Sequence, residues 1–156
     1  MKNKRLRSLL KWSAFILYIA ALVYFVFFAE MFGRVHVPDN YRYNLVPFKE
    51  IKRFLIYYDQ LGSTAVLLNL LGNVVAFMPF GFFLPLVTAH RTKFFKVFLS
   101  SFALSLAIEL IQLVSKVGSC DVDDLLLNTL GGIFGYWCFC VYKKLRVMCR
   151  NRKKIK

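Results

Sequence analysis

Acidic residues are scarce in this sequence and absent from both of its ends. The 156 residues include 8 Asp or Glu against 22 Lys or Arg, and no acid precedes residue 30 or follows residue 124. The sequence contains no Gly-x-Ser-x-Gly and no His-Glu-x-x-His motif, so two common hydrolase signatures are missing. The four cysteines give no disulfide or zinc pattern, since even Cys138 and Cys140 point to nearly opposite sides of a helix.

Long apolar stretches dominate what is present. The chain is 58% hydrophobic and 17% aromatic, which is too apolar for a soluble domain of this length. Four stretches are long enough to cross a bilayer as helices: residues 12–29, 64–87, 94–114 and about 125–142. The first exceeds a usual signal-peptide core and no Ala-x-Ala-like site follows it, so we expect an uncleaved helix. The sequence therefore predicts an all-α integral membrane protein with a four-helix transmembrane bundle.

The distribution of charge predicts the orientation of these helices. If both ends are cytoplasmic, the inner segments hold 16 basic residues and no acid, and the outer segments hold the other six basic residues and seven of the eight acids. Lys and Arg near the ends of spans set topology, so an N-in/C-in arrangement is favoured. On this basis residues 1–11 and 143–156 are basic cytoplasmic ends, and residues 12–142 form the membrane domain. The two histidines, His36 and His90, are then on opposite sides of the membrane.

The net charge of +14 points to lipid and not to nucleic acid, because the basic residues flank the apolar segments and no nucleic-acid-binding module is recognisable. We expect the basic termini to contact anionic lipids. In the first outer loop, Val37-Pro38-Asp39-Asn40 predicts a turn. Apolar and basic residues then alternate at helical spacing over residues 48–58, which predicts a short amphipathic helix on the bilayer surface.

Polar residues inside three of the spans are predicted to lie at similar depth. Asn69 and Asn73 lie about 8 and 14 Å below the outer start of the second span at 1.5 Å per residue. Glu109 and Gln112 lie near the outer end of the third span, and Asn128 is one turn inside the fourth. Above them lies an acidic loop. The resulting candidate ligand-binding residues are Asn69, Asn73, Glu109, Gln112, Asp121, Asp123, Asp124 and Asn128.

These residue types fit more than one chemistry. An ionised Glu109 facing lipid would be costly, so it should face the bundle or a hydrated cavity. The amides are equally typical of hydrogen bonds between membrane helices, and the acids of caps at a helix start. No cofactor is evident, although carboxylates of Glu109, Asp121 and Asp124 would suit Mg²⁺ or Ca²⁺, or a cationic group directly. The pattern leaves open whether the protein is an enzyme.

The fourth span also contains closely spaced glycines. Gly131 and Gly135 are four apart, and small residues at that spacing allow another membrane helix to approach closely. The approaching helix would belong to the same bundle or to a second membrane protein. Pro79 and Pro85 in the second span should kink or end that helix.

Several blocks of the sequence resemble the VanZ-like family of small bacterial membrane proteins, named after a protein associated with low-level resistance to the glycopeptide teicoplanin. The similarity lies in residues 44–48 (NLVPF), 69–73 (NLLGN), 77–81 (FMPFG), 109–112 (ELIQ), 121–124 (DVDD), 128–132 (NTLGG) and 135–136 (GY). The family commonly has an Arg just before the acidic block, where this chain has Val117-Gly118-Ser119-Cys120. An Arg–Asp pair is therefore not expected here.

The resemblance implies a multi-pass protein of the bacterial cytoplasmic membrane that affects glycopeptide susceptibility. Three hypotheses follow. In the first, the protein binds or modifies an amphiphile at the outer leaflet, either a lipid-linked envelope precursor or a lipoglycopeptide-like drug. In the second, it is a non-enzymatic subunit that docks another membrane protein through Gly131 and Gly135. In the third, which we favour least because Glu109 is near one surface and no inverted repeat is evident, it is a small transporter.

Overall fold

The computed structural model describes residues 2–32, 41–57, 60, 62–88, 92–117 and 119–155. This part of the chain contains five helices and two short strands, which follow one another as α1 (Lys2–Phe32), β1 (Tyr43–Asn44), α2 (Lys49–Ile56), α3 (Ser63–Val87), α4 (Phe94–Ser115), β2 (Cys120–Asp121) and α5 (Val122–Ile155). Four of these helices, α1, α3, α4 and α5, are long and apolar enough to cross a membrane. The prediction of an all-helical protein with four candidate spans is confirmed. The predicted turn at residues 37–40, His36 and His90 lie outside the described residues.

The helices are longer than the apolar stretches that predicted them. α1 begins at Lys2 instead of Trp12, and α5 continues through the basic tail to Ile155. Hydropathy marks the part of a helix that suits lipid, whereas Lys and Arg are themselves good helix formers, so the backbone pattern continues past the apolar segment. At 34 residues α5 is about 51 Å long, well beyond a hydrocarbon core of about 30 Å. The predicted boundaries of the membrane domain, at residues 12 and 142, therefore do not coincide with helix ends. They mark where the chain is expected to leave the membrane, and they stay a prediction.

The prolines of α3 do not interrupt it early. The helix runs through Pro79 and Pro85 and ends at Val87. At its end, the backbone N–H and the hydroxyl of Thr88 both donate to the carbonyl oxygen of Leu84, at 3.1 and 2.8 Å. The sequence predicted that each proline would kink the helix or end it. Pro85 lies two residues before the end of the helix, whereas the helix continues for eight residues beyond Pro79.

Helix α5 packs closely along α3 through its glycines. A methyl group at Gly131 or Gly135 would overlap the carbonyl oxygen of Val74 or Met78 in α3. The same holds for Gly132, where a methyl group would overlap the Ser101 hydroxyl of α4. The glycines thus allow α5 to approach the backbone of α3 and the Ser101 side chain of α4 closely, as small residues do in membrane bundles. Here the approaching helices belong to the same chain; docking of a second protein at Gly131 and Gly135 stays a prediction.

Helix α1 joins the bundle mainly through α3. The Tyr18 hydroxyl donates to the carbonyl oxygen of Ala76 at 2.7 Å. One turn further along α1, Leu22 is buried in an apolar cluster with Phe77 of α3 and Ile108 of α4. This cluster connects three helices near the middle of the bundle.

The first loop is fixed to the segment before α5 by a short parallel strand pair. Tyr43 is in register with Cys120, and Asn44 with Asp121. Helix α2 follows, within the predicted residues 48–58, with basic side chains and exposed apolar side chains such as Leu55. Its placement on the bilayer surface stays a prediction. We call the end of the bundle that carries the strand pair, where α1 and α4 end and α3 and α5 begin, the strand end.

Candidate functional site

A cavity of about 330 Å³ lies between α1, α3, α4 and α5 near the strand end. Its polar walls are formed by six of the eight predicted site residues: Asn69, Asn73, Glu109, Gln112, Asp124 and Asn128. Its other walls are formed by Phe25, Val26, Gly72, Ala76, Phe77 and Ile108. Because Phe77 and Ile108 also belong to the cluster around Leu22, the cavity has an apolar floor towards the middle of the bundle.

Helical spacing explains why the polar residues meet. Each of three helices contributes a pair three or four residues apart, and such pairs lie on one face. The pairs are Asn69 and Asn73 in α3, Glu109 and Gln112 in α4, and Asp124 and Asn128 in α5. All six lie within the first or last ten or so residues of their helix, on the strand-end side.

Two of the amides connect helices. Asn73 donates from Nδ2 to Oδ1 of Asp124, which joins α3 to α5. Asn128 donates from Nδ2 to the Ser105 hydroxyl at 3.0 Å, which joins α5 to α4. Hydrogen bonds between membrane helices contribute about 0.6 to 2 kcal/mol, so these amides have a structural role whether or not they also contact a ligand.

Glu109 faces the bundle interior and not the lipid. Its side chain is only 3% exposed, and Oε2 accepts a hydrogen bond from the backbone N–H of Asp121 at 2.8 Å. Facing inward avoids the free-energy cost of a carboxylate in acyl chains. The carboxylate thus forms part of the cavity wall and also holds the segment that leads into α5.

Asp121 and Asp123 do not line the cavity; they organise the first loop. Oδ1 of Asp121 accepts hydrogen bonds from Nδ2 of Asn44 at 3.1 Å and from the backbone N–H of Asp123 at 2.8 Å. The Asp123 carboxylate, 1% exposed, accepts the backbone N–H groups of Phe48, of Glu50 at 2.8 Å and of Ile51 at 3.2 Å. Asp123 therefore caps α2 from a different part of the chain.

Burial affects the ionisation of this loop. It raises the pKa of Asp121 above the ordinary value of 3.8, although the hydrogen bonds from Asp123 N–H and Asn44 lower it in part. Burial also raises the pKa of the neighbouring Cys120 thiol, and the charges of Glu109 and Asp121 add to that effect. Burial thus shifts Asp121 and Cys120 in the direction of their neutral forms.

The predicted cation ligands are distributed unevenly. Glu109 and Asp124 both line the cavity, but the Asp121 carboxylate is directed to loop amides. Within the described part of the chain, no group of three or more His, Cys, Asp or Glu side chains is placed to hold a metal ion. Binding of Mg²⁺ or Ca²⁺ stays a prediction.

Seven contributors to the site were not among the predicted site residues: the six other residues of the cavity wall and Ser105. Phe25 and Val26 bring α1 into the cavity wall, and Ser105 is the partner of Asn128. A signal for the serine was present, since Ser101 and Ser105 are four apart on one face of an apolar helix. On α1 the two cavity-lining residues, Phe25 and Val26, are apolar like their neighbours in the span, so sequence patterns gave no comparable signal there.

Comparison with known proteins covers the whole site. The sequence model of the VanZ/LLP1 family matches residues 15–143, which include every candidate residue. Protein VanZ from Enterococcus faecium is 30% identical over 121 residues, which are 76% of this chain and 66% of that protein. The aligned part thus spans just under two thirds of that relative. No solved structure gives a significant match.

Proposed function

Because the chain belongs to the VanZ-like family, we propose that it is a membrane protein of the bacterial cell envelope that binds or modifies an amphiphile in the strand-end cavity. The amphiphile is a lipid-linked envelope precursor or a lipoglycopeptide-like drug. Through this ligand the protein would affect susceptibility to glycopeptides such as teicoplanin, the phenotype after which the family is named.

The proposed orientation brings the cavity to the outer leaflet. With both ends in the cytoplasm, 16 basic residues are inside, and the strand end with its acidic residues faces outward. The basic ends, including the last two turns of α5, then contact anionic lipid on the inner side. The proposed location is therefore the bacterial cytoplasmic membrane.

The observation that carries the proposal is the composition of the cavity. Six polar side chains from three helices line it together with apolar walls and an apolar floor. Glu109 is six residues from the end of α4, so its carboxylate lies about 9 Å from that end of the helix. A polar head would contact the carboxylates and amides, and an alkyl chain would lie against the apolar residues. Few convergent polar groups in an otherwise apolar cavity are typical of small-ligand sites.

Helix α2 supports an amphiphile arriving from the membrane surface. It carries Lys49, Lys52 and Arg53 together with exposed Leu55 and Ile56. Such a helix binds the headgroup boundary through its apolar side chains and anionic lipid through its basic ones. Asp123 holds it beside the start of α5, and therefore near the cavity.

The test is complementation of a deletion strain with wild-type protein and with Glu109→Gln or Asp124→Asn. Each variant removes one cavity carboxylate with little change in shape. We expect both to lose the teicoplanin-susceptibility phenotype and any change in the envelope lipid profile, at wild-type protein levels in the membrane. Glu50→Gln is the matched control, because it removes a carboxylate that pairs with Arg53 on α2 outside the cavity. A wild-type phenotype in both cavity variants would remove the cavity from the proposal.

A further inference from the structure

The charge of the cavity restricts which head group it accepts. Two carboxylates, those of Glu109 and Asp124, line its wall, and none of the described residues that line it is Lys, Arg or His. Like charges in a small cavity of low dielectric repel each other, and a cation between them relieves that repulsion. A phosphate would instead add a further negative charge. The cavity is therefore complementary to a positively charged group.

A second observation indicates that a ligand group is accommodated. The Gln112 side chain lines the cavity and is only 6% exposed, yet its amide forms no hydrogen bond with any residue that the structure describes. Among the described residues, the one buried side-chain group without a partner is the Ser101 hydroxyl, so the Gln112 amide is open to the cavity and can take a partner there. Gln112 is three residues from Glu109 on the same face of α4. Its carbonyl oxygen is thus an acceptor beside the two carboxylates.

We propose that the cavity binds the ammonium group of a cationic amphiphile, with Glu109, Asp124 and Gln112 as the acceptors. A primary ammonium has three donor hydrogens and one positive charge, which match two carboxylates and one amide oxygen. A neutral hydroxyl brings one donor and no charge. The inference rests on the proposed function, because it names the head group that the same cavity takes. An aminolipid and an amino group on a lipoglycopeptide-like drug share this chemistry.

The experiment uses the full chain in phosphatidylcholine nanodiscs. Binding of dodecylammonium, dodecanol and dodecyl phosphate is measured at equilibrium and corrected for partition into empty nanodiscs. We expect dodecylammonium to bind at least tenfold more tightly than dodecanol, and dodecyl phosphate to bind more weakly than dodecanol. Equal affinity for dodecylammonium and dodecanol, or a preference for the phosphate, would overturn the inference.

Variants connect this preference to the proposed residues. Glu109→Gln, Asp124→Asn and Gln112→Met should each weaken dodecylammonium binding about tenfold and leave dodecanol binding within twofold, whereas Glu50→Gln should change neither. Wild-type affinity for dodecylammonium in all three cavity variants would contradict the assignment. Gln112→Met keeps the charge and the approximate volume of the cavity, so it remains informative if a carboxylate variant is unstable.

Competition then identifies the source of the ammonium group. Displacement of dodecylammonium by phosphatidylethanolamine would assign the site to a membrane aminolipid, and displacement by a dodecyl aminoglucoside would assign it to an amino-sugar amphiphile. Displacement by neither would contradict the inference. If none of the three dodecyl probes binds the wild-type protein, the amphiphile-binding function itself fails. If they bind without a preference for ammonium, only the present inference fails.

Discussion

The side chain of Glu109 in α4 and the backbone N–H of Asp121 before α5 are joined by a hydrogen bond of 2.8 Å. This bond is the first step of a connected series. Asp121 in turn accepts the N–H of Asp123, and Asp123 accepts three backbone N–H groups at the start of α2. The wall of the cavity and helix α2 of the first loop are therefore held by one network of carboxylates.

Substitution of Asp123 should release α2. Both oxygens of Asp123 accept backbone N–H groups, so Asp123→Asn would place an amide NH₂ against at least one donor and leave it unsatisfied. We expect a loss of about 1 to 3 kcal/mol in stability. Thermal unfolding in detergent measures this loss, and hydrogen exchange should show faster exchange at Glu50 and Ile51. Lys52→Gln, on the exposed side of α2, is the control; unchanged exchange in Asp123→Asn would contradict the capping role.

Substitution of glycine by alanine should destabilise the protein where the glycine is closely packed and not where it faces open space. Gly131→Ala and Gly135→Ala introduce a methyl group that overlaps a backbone carbonyl of α3, whereas the methyl of Gly72→Ala meets nothing within 4 Å. We expect the first two to destabilise the protein by about 1 to 3 kcal/mol and Gly72→Ala to be neutral or stabilising by up to about 1 kcal/mol. Thermal unfolding of the three purified variants checks the order. Equal effects at Gly72 and Gly131 would contradict the packing.

Titration of Asp121 should contribute to the pH dependence of the protein's stability. Since burial raises its pKa above 3.8, the folded state binds this proton more tightly than the unfolded state does. The corresponding stability is present below about pH 3.8 and is lost as the pH rises through the raised pKa. Asp121→Asn keeps an acceptor oxygen for Asn44 and for the Asp123 N–H but does not titrate. The unfolding temperature of the variant minus that of the wild type should therefore increase as the pH rises from about 4 to 7. A decrease in this difference over the same range would contradict the assignment.

The proposed orientation can be tested with single cysteines at the two ends of the bundle. In a chain without its other cysteines, Ser119→Cys introduces a thiol at an exposed position of the strand end, and the native Cys149 is exposed near the end of α5. A membrane-impermeant maleimide should label residue 119 in intact cells and Cys149 only after permeabilisation. Labelling in the opposite order would reverse the proposed topology. The chain without cysteines is the control for background.

Much of the candidate site was predictable because its residues obey helical spacing. Three pairs, one in each of α3, α4 and α5, were placed at similar depth by counting residues, and the structure brings all six side chains to one cavity. The roles of Asp121 and Asp123 were not predictable in this way. Their partners, Asn44 and the N–H groups at residues 48–51, lie more than 70 residues away, and spacing along a helix carries no information on such contacts. Phe25 was not predictable for the same reason, because it meets residues of the cavity that lie more than 40 positions away in the sequence.

The sequence by itself determined the four apolar helices, their candidate face of polar residues and the membership of a membrane protein family, since length, hydropathy and spacing within one helix depend only on local order along the chain. Only the tertiary structure decided which helix fills the face of Gly131 and Gly135, which acids line the cavity and which hold α2. Those outcomes depend on the angle at which helices meet and on backbone groups competing for the same carboxylates. Neither quantity is a property of any one segment.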